Sequence, residues 1–138
     1  MPKSEYLLVY GTLQKESQNS MSKYLAAHGQ FVARGCFQGK LYQVSWFPGA
    51  VVSSNILEKV YGSIFKIDTS ENVFKVLDAY EGIGRVPKAS DLFKRESVHA
   101  MLDDGTTIET WVYLYNRSVN HLKRISSGDF LKFSDEGF

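Results

Sequence analysis

The chain has 138 residues, of which 43% are apolar, 22% charged and 14% aromatic. That is the size of one domain with a core of its own, and the balance is that of a globular chain rather than a disordered or fibrous one. Sixteen Lys and Arg oppose fifteen Asp and Glu, a net of +1, so charge gives no reason to bind nucleic acid or an anionic membrane. No apolar run nears the roughly 18 residues that a membrane span needs. The opening Met1-Pro2-Lys3-Ser4-Glu5 lacks the cleavage-like site of a secretory leader. A single cysteine, Cys36, can form neither an internal disulfide nor a cysteine-based metal cluster, a usage that fits the reducing cytoplasm.

Tyr6-Leu7-Leu8-Val9-Tyr10 is a short continuous apolar run, the mark of a buried strand. It stops at Gly11-Thr12-Leu13, where glycine permits a tight turn. Asn19-Ser20 is placed to cap a short helix with Met21, Tyr24, Leu25 and His28 on one face and Gly29 as its stop. Phe31 to Arg34 and Gly39 to Val44 read as two strands, and Trp46-Phe47-Pro48-Gly49 as a loop. Ala50-Val51-Val52 and Val60 to Ile67 follow as strands, with Gly62 and Ser63 leaving room beside the backbone.

Asp68 with Glu71 three residues on has the form of a capping box, and opens a second helix. Val73, Phe74, Leu77 and Tyr80 mark its buried face and Gly82 its stop, so Glu81 sits at its last position. Asp78, elsewhere on that helix, reads most simply as a solvated polar residue. Ile83 to Asp91 is a loop. Leu92 to Leu102 and Thr106 to Tyr115 alternate as two long strands joined by the hairpin turn Asp103-Asp104-Gly105. On the second, Ile108, Val112 and Leu114 share one face, and Trp111, Tyr113 and Tyr115 the other. The aliphatic face suits packing under a helix; the aromatic face suits a pocket that needs bulk and hydroxyl groups. The expected fold is α+β in a single domain over residues 1–138. It has about six or seven strands and flanking helices, with a mixed sheet strongly curved or closed into a small barrel.

The usual catalytic signatures are missing: no phosphate loop, no Gly-x-Ser-x-Gly elbow and no His-Glu-x-x-His helix occur. His28, His99 and His121 are far apart and lack ligand spacing, so no metal is expected. Cys36 has no paired base in the sequence to make it a nucleophile. Two features remain. The step Val9-Tyr10-Gly11-Thr12-Leu13 can aim successive backbone N–H groups at one point and cradle a carboxylate, or can be an ordinary turn. The second is Glu81. A carboxylate facing the negative end of a helix dipole is unfavourable, and partial burial beside the aromatic strand face adds desolvation. Both raise its pKa from a reference of about 4.3 toward neutrality, where one group both takes and gives a proton. The plain alternative is a solvated residue at a helix end.

The chain as a whole resembles a known family. Val9-Tyr10-Gly11-Thr12-Leu13, Gly39-Lys40-Leu41-Tyr42, Phe47-Pro48-Gly49-Ala50, Val60-Tyr61-Gly62, Leu77-Asp78-Ala79-Tyr80-Glu81-Gly82, Trp111-Val112-Tyr113 and Ser127-Gly128-Asp129-Phe130 occur in the order found in the γ-glutamylcyclotransferase-like proteins. The match is nearest to the branch of γ-glutamylamine cyclotransferase and the AIG2-like proteins, and runs from Tyr6 to Phe130. The resemblance implies a small β-barrel with a cavity at one end, and a cofactor-independent cytoplasmic enzyme acting on a small γ-glutamyl substrate. It implies that Tyr10, Gly11, Thr12 and Leu13 bind the γ-glutamyl or 5-oxoproline moiety and that Glu81 is the catalytic acid/base. Tyr115 is added as a pocket residue that hydrogen-bonds the glutamyl end. Two positions depart from the pattern: Phe93 in Phe93-Lys94-Arg95 stands where a Tyr is common, and Phe130 where Trp is frequent. The alternative is a non-catalytic binding or interaction module on the same barrel. The geometry around Glu81 and an assay of 5-oxoproline release distinguish the two.

Overall fold

The computed structural model describes residues 5–11, 24–25, 27–44, 47–67, 73–80 (Tyr80 as backbone only) and 91–130. In chain order the elements are β1 (Tyr6–Val9), β2 (Gly29–Gln43), β3 (Pro48–Val52), β4 (Lys59–Ile67), α1 (Val73–Tyr80), β5 (Phe93–Leu102), β6 (Thr107–Tyr115) and β7 (Lys123–Arg124). Just before β2, Tyr24, Leu25, Ala27 and His28 are helical, with Leu25 fully buried and the Tyr24 and His28 rings 4.4 Å apart. The capping residues expected for both helices lie outside the described residues.

Five strands close on themselves. β1 runs antiparallel to β4 and parallel to β6, β4 pairs with β2, β2 with β5, and β5 with β6. The outcome is a mixed, closed barrel. β3 and β7 attach to the far half of β2, through Gly39–Gln43 and through Tyr42 and Gln43. One expectation is corrected here. The two strands read at Phe31 to Arg34 and Gly39 to Val44 are a single strand of 15 residues. Gly35, in the gap between those two stretches, is a point of close approach. A Cβ there would lie 2.7 Å from Ile64 Cδ1 and 2.9 Å from the Met101 carbonyl oxygen. The register between β2 and β4 shifts between Phe31 and Ala33, so the strand bends there without ending.

Strand alternation sorts the apolar residues into two clusters. One contains Leu8, Tyr10, Phe37, Ile64, Ala100, Val112 and Leu114. The other contains Leu7, Val9, Phe65, Tyr113 and Tyr115 together with Val73 and Leu77 of α1. A helix cannot enter a five-stranded barrel, so the second cluster is the outer layer and the first fills the interior. This reverses the expected use of the β6 faces. The aliphatic face, Val112 and Leu114, points inward, and the face of Trp111, Tyr113 and Tyr115 lies under the helix. Along β6 the interior takes compact branched side chains, whereas a helix resting on the outside leaves room for rings at its edges. Fully burying Leu77 contributes on the order of 2 kcal/mol to that contact.

The hairpin joining β5 and β6 is the one expected. Gly105 has φ +88°, and Asp104 Oδ1 accepts from the Thr106 amide at 2.9 Å and its hydroxyl at 2.6 Å. β7 was not anticipated. It is held by the Ile125 amide donating to the Leu41 carbonyl at 2.8 Å and by Arg124, whose Nη1 is 3.1 Å from Glu58. The Ser127-Gly128-Asp129 segment closes over β4. Gly128, at φ +72°, has no space for a Cβ beside the Lys59 carbonyl, and Asp129 pairs with Arg34 at 3.1 Å.

Two stability predictions follow from these contacts. Thr110 is fully buried on the inward face of β6, and its hydroxyl is the buried side-chain polar atom without a partner among the described residues. Thr110→Val removes that desolvated hydroxyl at nearly constant shape and is expected to stabilise by about 1 kcal/mol in urea unfolding. Glu58 concerns pH. A hydrogen bond from the Ser53 hydroxyl holds its carboxyl below the ordinary 4.5, partial desolvation opposes this, and Lys40 and Arg124 add to the lowering. Because the folded value is depressed, the contribution is complete above the ordinary value and is lost as pH falls through the folded one. Glu58→Gln is expected to lower the melting temperature at neutral pH, with the difference from wild type vanishing in acid.

Candidate active site

Three strand ends meet at one end of the barrel. Chain order brings β1 out at Tyr10 and Gly11, β3 in at Pro48, and β6 to its close at Tyr115. The Tyr10 side chain falls on the inward face, and its hydroxyl works in both directions. It donates to the Tyr113 carbonyl oxygen and accepts from the Ala50 amide at 3.0 Å. One side chain thus ties β1 to β3 and β6, with both bonds inside the core. Gly11 lies against Pro48: a Cβ on it would be 3.0 Å from Pro48 Cγ. Gly49 lies against Tyr115: a Cβ would be 2.9 Å from Tyr115 Cβ and Cγ and 2.9 Å from Val44 Cγ2. Gly11 and Tyr115 therefore flank one short segment, Pro48-Gly49.

The buried Phe93 opens β5 directly opposite Tyr115, their ring centres 5.9 Å apart, and Phe47 stands 5.9 Å from Phe93 on the other side. Among the residues singled out from the sequence, Tyr10, Gly11 and Tyr115 are thus brought together. Thr12, Leu13 and Glu81 lie outside the described residues.

Asp78 is corrected. It is not simply solvated: Arg95 Nε donates to its Oδ1 at 2.8 Å, Arg95 Nη2 to its Oδ2 at 3.2 Å, and the Tyr113 hydroxyl to Oδ1 at 2.6 Å. The Arg95 guanidinium carbon lies 4.7 Å from the Phe74 ring centre and 4.5 Å from that of Trp111. A planar, forked cation suits this place, since it pairs with a carboxylate edge-on while it rests against rings. Arg95 is the residue that sequence reasoning passed over. The signal was present: alternation puts it on the face of Phe93, and the hairpin register puts it opposite Tyr113.

Cys36 stands apart, in register with Tyr61 and Met101 rather than with these strand ends. Burial pushes its thiol up, Asp103 adds to this and Lys59 opposes it, so it is the reverse of an activated nucleophile. Among the described residues, no three His, Cys, Asp or Glu side chains gather where they could hold a metal ion. Nor is any helix among them long and apolar enough to cross a membrane.

The family model described as "Gamma-glutamyl cyclotransferase, AIG2-like" matches residues 7–132. The chain belongs to that family. It is 30% identical over 126 residues to the protein MJ1514 of Methanocaldococcus jannaschii, covering 91% of this chain and 95% of that one. The solution structure of YtfP from Escherichia coli superposes with a TM-score of 0.62 at 26% identity, over 94% of this chain and 98% of that one. YtfP is named a gamma-glutamylcyclotransferase family protein. A crystal structure of an AIG2-like protein from Mus musculus superposes with a TM-score of 0.67 at 20% identity, over 88% of this chain and 86% of that one, which speaks to the fold. The expected family and the expected barrel are both found.

Gly49 tests the packing at this barrel end. Gly49→Ala places a methyl group inside contact distance of Tyr115 and Val44, and is expected to destabilise by about 1–3 kcal/mol in chemical unfolding. Tyr115 fluorescence or ring NMR signals should shift with it.

Proposed function

We propose that the protein releases 5-oxoproline from a γ-glutamyl amine or γ-glutamyl amino acid. The α-amine of the substrate attacks its own γ-carbonyl carbon, a five-membered lactam closes, and the carbon–nitrogen bond to the departing amine breaks. Nucleophile and electrophile belong to one molecule, so the main task is to hold the chain folded back. Such orientation is worth on the order of 7–11 kcal/mol. Two proton transfers remain. The α-amine, with a reference pKa of about 8, must lose a proton before it attacks. The leaving amine must gain one. Glu81 serves as base and then acid, a contribution of roughly 10²–10⁴-fold.

The backbone amides of Gly11, Thr12 and Leu13 hold the substrate carboxylate or the developing oxyanion. Tyr10 shapes this loop, and Tyr115 lines the glutamyl end. The reaction balances without metal, nucleotide or covalent enzyme intermediate. It proceeds in the cytoplasm within one domain, with a small molecule as the only partner required.

The observation that carries this reading is the family membership over residues 7–132. Geometry supports it in two ways. Gly11 and Tyr115 flank the same Pro48-Gly49 segment. α1 advances along β6, from Phe74 at Trp111 to Asp78 at Tyr113, so its direction is toward the Tyr115 end. Glu81 is the residue after that helix in sequence.

A panel of γ-glutamyl amines and γ-glutamyl amino acids assayed for 5-oxoproline is the test. Wild type is expected to turn over at least one member. Glu81→Gln is expected to be inactive, folded and still able to bind 5-oxoproline. Equal rates in the two proteins would remove Glu81 from the chemistry. Binding without release by wild type would make the protein a binding module.

A further inference from the structure

Resting on the reading that Glu81 moves the protons, we propose that Asp78 and Arg95 are positioning residues. They lock the last turn of α1, the turn from which Glu81 follows in sequence, onto β5 and β6.

The last turn of α1 contains Asp78 and no basic residue. The partial negative charge at a helix C-terminus and the Asp78 carboxylate therefore add, and a helix of eight residues has little of its own to oppose them. Arg95 supplies the missing cation from a different element. It does so with a fixed geometry: two guanidinium hydrogen bonds at 2.8 and 3.2 Å, two rings against the guanidinium at 4.7 and 4.5 Å, and the Tyr113 hydroxyl closing on the same carboxylate at 2.6 Å. Three bonds from two strands fix the rotation of the helix as well as its height.

The placement matters as much as the strength. Arg95 pairs with Tyr113, and the next pair on that face is Phe93 with Tyr115. That step is about 6.6 Å along the strands. Four residues of helix, from Phe74 to Asp78, rise about 6 Å while the partner on β6 advances from Trp111 to Tyr113. Helix and strand keep step, and the lock lies in the last full turn before the helix ends at Tyr80. An ion pair of this partial exposure, with Arg95 and Asp78 side chains 25% and 21% accessible, contributes modestly to stability. Its forked and stacked geometry serves orientation better than it serves stability.

The experiment compares wild type, Glu81→Gln, Asp78→Asn, Arg95→Met, Arg95→Lys and the double variant Asp78→Asn with Arg95→Met. For each, kcat, KM, the Kd for 5-oxoproline and the melting temperature are measured. With the last turn of α1 released from β5 and β6, kcat of Asp78→Asn and Arg95→Met is expected to fall about 10–100-fold. KM and the Kd should hold within about twofold, because the substrate-binding loop is untouched. Arg95→Lys keeps the charge without the fork and should recover part of the loss. The double variant leaves no unpaired charge, so it keeps the test readable if a single variant unfolds. It should regain stability but not kcat.

Wild-type kcat in the folded single or double variants, with Glu81→Gln inactive, would overturn the positioning role and leave the Glu81 reading standing. A rise in KM and Kd at constant kcat would place the pair in substrate binding and overturn it equally. Wild-type rates in Glu81→Gln, or no release by wild type on any substrate, would overturn the Glu81 reading and this inference with it.

Discussion

Two residue pairs, Gly35 with Leu102 and Cys36 with Met101, turn an open sheet into a barrel. Without them β2 and β5 would each present a row of unpaired backbone groups, and the inner cluster would face water on one side. The closing contact is made where a side chain is missing, because the space beside Gly35 is already taken by Ile64 and by the Met101 carbonyl. Any larger residue there would push the two strands apart. Closure also decides where chemistry can occur. The interior is filled by Leu8, Phe37, Ile64, Val112, Leu114 and their neighbours. A substrate must therefore meet the protein at the barrel end or on the outer layer, where the rings of β6 lie beside α1.

That outer layer is less uniform than the interior. It is apolar at Leu7, Phe65, Val73 and Leu77, and becomes polar toward the end of the helix, where Asp78, Arg95 and Tyr113 bond to one another. The polar patch borders the aromatic group of Phe47, Phe93 and Tyr115. A charged group set against rings is held in a direction as well as in a place, since the rings bound its position and hydrogen bonds restrain its edge. The fold thus carries its ordered polar cluster next to the strand ends that converge on Pro48-Gly49.

Sequence reading succeeded where the determining contact is local. The turn at Asp103-Asp104-Gly105 is written in a glycine that takes positive φ. It failed where a distant element decides. Gly35 breaks a pattern along the chain, yet β4 and β5 crowd against it and keep β2 whole. Alternation on β6 separates two faces but does not say which one a barrel encloses. Asp78 looks solvated because its partners stand 17 and 35 residues away. β7 has two residues and no periodicity to read. Of the candidate site, the positions at strand ends, Tyr10, Gly11 and Tyr115, were legible together because each follows a run of alternating or apolar residues. Phe47 acquires its meaning only through tertiary neighbours.

β1 lies between β4 and β6, so the first of the described strands is completed by nearly the last of them. Its parallel partner, Trp111 opposite Leu7, is more than a hundred positions away along the chain. Contacts of that span cost chain entropy before they return any energy, and topologies rich in them fold slowly. β1 can pair with β4 first, but its other edge stays open until β6 is in place. Closure of the barrel thus depends on a pairing of long span, and the barrel end that carries the candidate site depends on the same closure.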